Sequence, residues 1–249
     1  MVVNQVNKFL ITILILSIFL ISNLIVAGES IQAAENNELV VLIHGYNKDH
    51  RDMLTLKEYL ELMDYETVTV DLPLTFRSVG YATEIFRDKM EDILASLEAD
   101  QEISFVGHST GGLVLRKYLD EFRDRQVVNR AVQIATPNQG SSLATFISDV
   151  SDLWTSIFTT LESLEPENVE AMDLIEGDAI EIGAIAGDKS TRIFSRFLEG
   201  ENDGRIKVES VKFPGLSDFI VIPYHHNEIH HQEKTAELVD RFLRTGEFN

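Results

Sequence analysis

From Glu38 onward the chain alternates short apolar runs with longer stretches of helical period, and few folds tolerate that rhythm. Leu39–Ile43, Thr67–Asp71, Ile103–Val106 and Val127–Ile134 read as strands, while Met53–Met63, Tyr81–Glu98 and Leu113–Phe122 read as helices. A strand with no polar face must be covered on both sides, and strands that alternate with helices lie parallel. The pattern therefore predicts an α/β chain with a mostly parallel central sheet and helices on both faces. Ile180–Ala186 and Phe219–Ile222 supply two later strands, and Thr235–Leu243 a closing helix. Residues 141–176 break the rhythm, being helical in pattern with no strand. This predicts a short helical cap inserted into one domain spanning 35–249.

Ahead of that domain, Phe9–Gly28 is an uncharged apolar stretch, with Lys8 before it and Glu29, Glu35 and Glu38 after it. Positive charge before and acidic charge after set the N-terminus inside and the remainder outside. Residues 1–34 are thus expected to be a signal peptide or a signal anchor, and the domain to be extracytoplasmic. The run is just long enough to span a bilayer, which suits an anchor. Val26-Ala27-Gly28 and Gln32-Ala33-Ala34 offer the small residues that cleavage needs. A secreted and a membrane-anchored form both stay open.

Acidic residues number 41 against 21 basic ones, for a formal net charge of −20, and they are spread along the chain. Such a field repels phosphate backbones, so nucleic acid is excluded as a partner. Tight electrostatic adsorption to an anionic membrane is excluded in the same way. The plain reading of the charge is solubility. With no cysteine in the chain, disulfides, thiolate catalysis and cysteine metal sites are all excluded.

Within the third strand-to-helix junction stands Gly107-His108-Ser109-Thr110-Gly111. A strand that turns sharply into a helix holds its corner residue in a strained, exposed conformation, and the flanking glycines let the backbone pass without side-chain clashes. Ser109 stands at that corner, as a nucleophile would. A serine hydroxyl needs a base to take its proton and an acid to orient that base. In an open parallel sheet both belong just after late strands. Asp203, in the polar turn Asn202-Asp203-Gly204-Arg205, is the chosen acid, with Asp188, Asp178 and Asp218 as competitors. His226, in Tyr224-His225-His226-Asn227 after the last strand, is the chosen base, with His225 next.

His230 and His231 lie a turn further on and are expected to be solvated surface. Together these four histidines suggest zinc, but the serine constellation accounts for the region without a metal. Two N–H donors are needed for an oxyanion. Thr110 supplies one at the helix start, and the turn His44-Gly45-Tyr46 after the first strand supplies the other through Tyr46. His44 is expected to hydrogen-bond its own loop rather than serve as the base. Leu153, Trp154, Ile157 and Phe158 are candidates to wall an acyl pocket, or are simply core.

The order Ser109, Asp203, His226, with His44-Gly45 upstream, resembles the α/β-hydrolase superfamily. Within it the chain is similar to small bacterial lipases and esterases. Their pattern is met in His44-Gly45, Gly107-His108-Ser109-Thr110-Gly111-Gly112, Thr136-Pro137-Asn138-Gln139-Gly140-Ser141 and Asp203-Gly204, over about residues 38–245. The resemblance implies a Ser-His-Asp triad, an acyl-enzyme, a small-molecule or lipid ester as substrate, and no cofactor. A thioesterase, amidase or acyltransferase on the same triad is the alternative, and a non-catalytic binding protein of the same fold a further one. The cap is short for a full lipase lid, so interfacial activation is not expected. The acidic surroundings disfavour anionic acyl substrates.

Overall fold

Six strands form one sheet in the order β2-β1-β3-β4-β5-β6, and every neighbouring pair is parallel. The computed structural model describes residues 37–121, 127–141, 159–172, 180–190 and 198–249. Within them the strands are β1 (Glu38–Ile43), β2 (Glu66–Val70), β3 (Glu102–His108), β4 (Val128–Ile134), β5 (Glu181–Gly187) and β6 (Asp218–Ile222). The longer helices are α1 (Leu54–Glu61), α2 (Val79–Ser96), α3 (Thr110–Glu121) and α7 (Glu233–Thr245). Three short ones, α4 (Thr159–Glu162), α5 (Pro166–Glu170) and α6 (Val208–Val211), lie between them.

β1 shows why the sheet needs two covers. All six of its residues are buried, and pleating sends them alternately to opposite faces. Leu39, Val41 and Ile43 join a core with Phe86 and Val79 of α2 and Leu113 and Tyr118 of α3. Val40 and Leu42 join the opposite core, with Leu56 and Leu60 of α1 and Val239 and Phe242 of α7. In the first core, Phe86, Phe105 and Tyr118 meet edge to face, with the Phe86 and Tyr118 ring centres 4.9 Å apart. Edge-to-face contact sets the positive ring edge against the negative face.

The expected helix Met53–Met63 is instead a 3-10 turn, His50–Met53, running into α1. The turn starts early because the Asp49 side chain accepts the Arg51 N–H at 2.9 Å. α4 and α5 fall inside the expected cap, of which residues 142–158 and 173–176 lie outside those described. Among the described residues no helix is long and apolar enough to cross a membrane. The apolar stretch Phe9–Gly28 lies outside them.

The strand order also places the site. From β1 the chain steps outward to the edge strand β2, then returns across β1 to β3 on its other side. At such a reversal the loops leaving the two strands diverge and open a crevice at their carboxyl ends. Ile43, the last residue of β1, pairs with Gly107 of β3. The turns beginning at His44 and at His108 therefore leave side by side.

Candidate active site

Ser109 sits between β3 and α3 with φ of 54°, in the left-handed region where a residue with a Cβ is strained. Its N–H donates to the Ile134 carbonyl of β4 at 2.8 Å, which holds the corner in place. Close approach explains the surrounding glycines. A Cβ on Gly111 would lie 2.4 Å from the His44 carbonyl oxygen, and one on Gly107 would lie 2.7 Å from Gly112 Cα. Only glycine lets α3 start this close to β1.

The structure brings Ser109, Asp203 and His226 together. His226 Nε2 is 3.0 Å from Ser109 Oγ, and its Nδ1 is 2.7 Å from Asp203 Oδ2. All three residues are buried. A carboxylate can only accept, so Nδ1 carries the proton and Nε2 is left bare toward the serine hydroxyl. Asp203 is itself held: Oδ1 accepts the N–H groups of Arg205 at 2.9 Å and Ile206 at 2.7 Å. Asn202 Oδ1 accepts the Gly204 N–H at 3.0 Å, and Gly204 takes φ of 93° to close the turn. One carboxylate oxygen is thus committed to backbone and the other points at the imidazole. The competing aspartates stand elsewhere. Asp188 is exposed, Asp218 accepts the Phe248 N–H at 2.6 Å, and Asp178 lies outside the described residues.

The turn after β1 reaches the same place. A Cβ on Gly45 would come within 3.0 Å of Ser109 Cβ, so its backbone runs against the serine. His44 donates from Nδ1 to the Gly45 carbonyl at 2.9 Å and accepts the Leu72 N–H on Nε2 at 3.0 Å. It thereby braces the loop, and burial pushes its pKa down. The N–H groups of Tyr46 and of Thr110, the first residue of α3, donate to no acceptor among the described residues. Helix starts leave such donors free, and the helix dipole adds partial positive charge there. Between the turn of Asp203 and the loop of His226 a cavity of about 260 Å³ is lined by Asp203, Gly204, Arg205, His225, His226, Asn227 and Glu228. Leu153, Trp154, Ile157 and Phe158, the candidate acyl wall, lie outside the described residues.

His230 and His231 require a correction. His230 is fully buried and the His231 side chain only 35% exposed. Asp52 draws them in: its carboxylate accepts His230 Nε2–H at 3.0 Å and its backbone carbonyl accepts His231 Nε2–H at 3.0 Å. His108 packs on them, its ring stacked on that of His230 with centres 3.7 Å apart. Sequence reasoning passed over Asp52 and His108. Their one signal was a histidine in each partner segment, and 178 residues separate Asp52 from His230.

The family model described as "Putative serine esterase (DUF676)" matches residues 33–163, just over half of the chain. The chain belongs to this family. Solved structures agree on the fold. The mature lipase BlEst2 of Bacillus licheniformis superposes with a TM-score of 0.70 at 17% identity, covering 87% of this chain and 94% of that one. A metagenomic carboxyl esterase gives 0.66 at 16% identity over 86% and 77%. Est1E of Butyrivibrio proteoclasticus gives 0.53 at 17% over 85% and 89%. No curated protein matches the sequence. The fold is that of the α/β-hydrolases, and the DUF676 family places the chain among esterase/lipase-like hydrolases.

Proposed function

We propose that the chain hydrolyses carboxylic esters through an acyl-enzyme on Ser109. The carrying observation is the unbroken line from Ser109 Oγ to His226 Nε2 at 3.0 Å and from His226 Nδ1 to Asp203 at 2.7 Å. As Ser109 Oγ bonds to the ester carbonyl carbon, its proton passes to His226 Nε2, and the carbonyl π pair becomes an oxyanion. The N–H groups of Thr110 and Tyr46 receive that charge. Asp203 stabilises the imidazolium and keeps its orientation. Collapse of the tetrahedral carbon expels the alkoxide, which takes the proton from His226. Water then repeats the sequence in reverse, with His226 as base, and releases the acid and free Ser109.

Esters are favoured over other acyl compounds by the family description and by the lipase and esterase names of the structural neighbours. The cap is proposed to span 141–176 and the hydrolase domain 35–249. The domain is proposed to act outside the cytoplasm, secreted or held by residues 9–28. Ser109→Ala should lower hydrolysis of short p-nitrophenyl esters by at least on the order of 10³-fold while leaving the circular dichroism spectrum unchanged. Retained activity in that variant overturns the triad. Parallel assays with thioesters and amides decide which acyl bond is preferred.

A further inference from the structure

Behind the proposed triad lies a second, buried set of polar groups that the acyl chemistry does not use. Asp52 stands in the turn His50–Met53 ahead of α1, and His230 and His231 in the 3-10 turn Ile229–His231 after the base loop. His108 is the residue before the proposed nucleophile. Its Nε2 lies 3.1 Å from the backbone carbonyl of His226. A carbonyl only accepts, so His108 carries its proton on Nε2.

That bond completes the hold on His226. Its backbone N–H donates to the Asp203 carbonyl at 3.0 Å, and its backbone C=O is taken by His108. The peptide groups of the base are therefore tied on one side to the acid and on the other to the residue beside the nucleophile. Asp52 fixes the turn that follows, taking His230 on its carboxylate and His231 on its carbonyl. Lys48 bonds the second carboxylate oxygen at 3.0 Å. The stack of His108 on His230, at 3.7 Å and 23°, joins the two ties.

A divalent cation on Asp52, His108 and His230 is the rival reading, since their donor atoms lie within 4.8 Å of one another. The rings do not suit it. Two imidazoles on one tetrahedral ion, with bonds of about 2 Å, hold their ring centres roughly 5 Å apart with the ring planes converging on the ion. Here the rings are stacked nearly parallel, and His230 Nε2 already spends its proton on Asp52. The arrangement is a hydrogen-bonded clasp.

We propose that His108 is a positioning residue for catalysis, holding the His226 carbonyl so that the imidazole stays in line between Ser109 and Asp203, and that Asp52 clamps the same loop through His230 and His231. The inference rests on the proposed triad. Small misplacement of a reacting group costs rate far more than it costs binding. The expected signature is thus a fall in kcat at unchanged KM. His108 and His230 are also both held in the neutral form by burial, which lowers their pKa values.

The test compares His108→Gln, whose amide N–H reaches where Nε2 stood, with His108→Asn, which is too short, and with His108→Phe, which keeps the ring but donates nothing. Activity on short p-nitrophenyl esters, the rate of Ser109 labelling by a fluorophosphonate, and Tm are measured for each. His108→Asn and His108→Phe should lose on the order of 10–100-fold in kcat and in labelling rate, with KM within about twofold of the parent. His108→Gln should recover most of the loss. Asp52→Ala should fall in kcat in the same way. Full activity in the Asn and Phe variants overturns the proposal, as does a Gln variant no better than Asn at equal Tm. If the parent protein is not labelled at Ser109, the triad itself fails. If it is labelled and the His108 variants match it, only this inference fails.

Discussion

At the scale of single residues, the two oxygens of Asp203 have different duties, and that difference makes a sharp prediction. Oδ1 faces two backbone N–H donors and Oδ2 faces His226 Nδ1. An asparagine there must keep its oxygen on the backbone donors, because an NH₂ would meet N–H groups head-on. Its NH₂ then points at Nδ1, which must become the bare acceptor, and the imidazole proton moves to Nε2. Facing Ser109 with a proton already on it, His226 has no lone pair for the hydroxyl. Asp203→Asn is expected to lower kcat by on the order of 10³–10⁴-fold with little change in Tm, read by steady-state kinetics beside a melting curve. A loss below tenfold would refute this account of the tautomer. Ser109 was legible in the sequence because a strained corner needs glycines at fixed offsets. Asp203 and His226 were legible only by position, as polar turn residues after late strands. His108 hid inside the pentapeptide that drew attention to its neighbour. His230 was misread as surface because nothing in its spacing reveals that Asp52 would arrive to satisfy it.

Among the elements, periodicity carried most of the information. β1, β3 and β5 are buried through nearly their whole length because they are covered on both faces, and their apolar residues carry that signal without any alignment. β2 and β6 lie at the two edges and are only partly buried, and every strand was legible to within a residue or two at each end. Helix ends moved where a cap was local and unforeseen. Ser78, for instance, accepts the Tyr81 N–H at 3.2 Å and starts α2 at Val79, ahead of the expected Tyr81. The strand order was not legible from any one segment. It arises from the crossover that returns the chain past β1, and with it comes the crevice where the loops after β1 and β3 meet. α2 and α3 pack against one face of the sheet. Phe86 is fully buried at the centre of the aromatic contact with Phe105 and Tyr118. Phe86→Ala should cost about 3–5 kcal/mol in urea unfolding, since the rigid rings around it cannot collapse into the space. A cost under about 1 kcal/mol would show that the aromatic contact is not a fixed part of the core.

For the whole molecule, charge and burial together set how it responds to acid. The net charge of −20 arises from dispersed carboxylates, so mild acidification by itself relieves repulsion and should favour the compact state. The buried histidines oppose this. Burial lowers the pKa of His44, His108 and His230 relative to the ordinary value. As pH falls below about 6.5 the unfolded chain takes up protons at these sites and the folded chain does not, so stability declines. Each site contributes a slope of up to about 1.4 kcal/mol per pH unit until the folded form is protonated too. Asp52 extends the loss to lower pH. Burial raises its pKa, but hydrogen bonds from His230 and Lys48 outweigh that and bring it down to about 2, so its share is lost between about 4 and 2. Glu38 works in the opposite sense: burial raises its pKa, and its share is lost as pH rises through the folded value. The histidine sites act together as pH falls from 7 to 5, and stability should decline over that range. Urea unfolding at pH 8, 7, 6 and 5, at low and at 1 M salt, separates the two forces, because salt screens surface repulsion but leaves buried histidines largely unaffected. Stability that holds flat from pH 7 to 5 at 1 M salt would mean that these histidines are not kept neutral by the fold. A decline that steepens when salt removes the compensating relief of repulsion is the expected result.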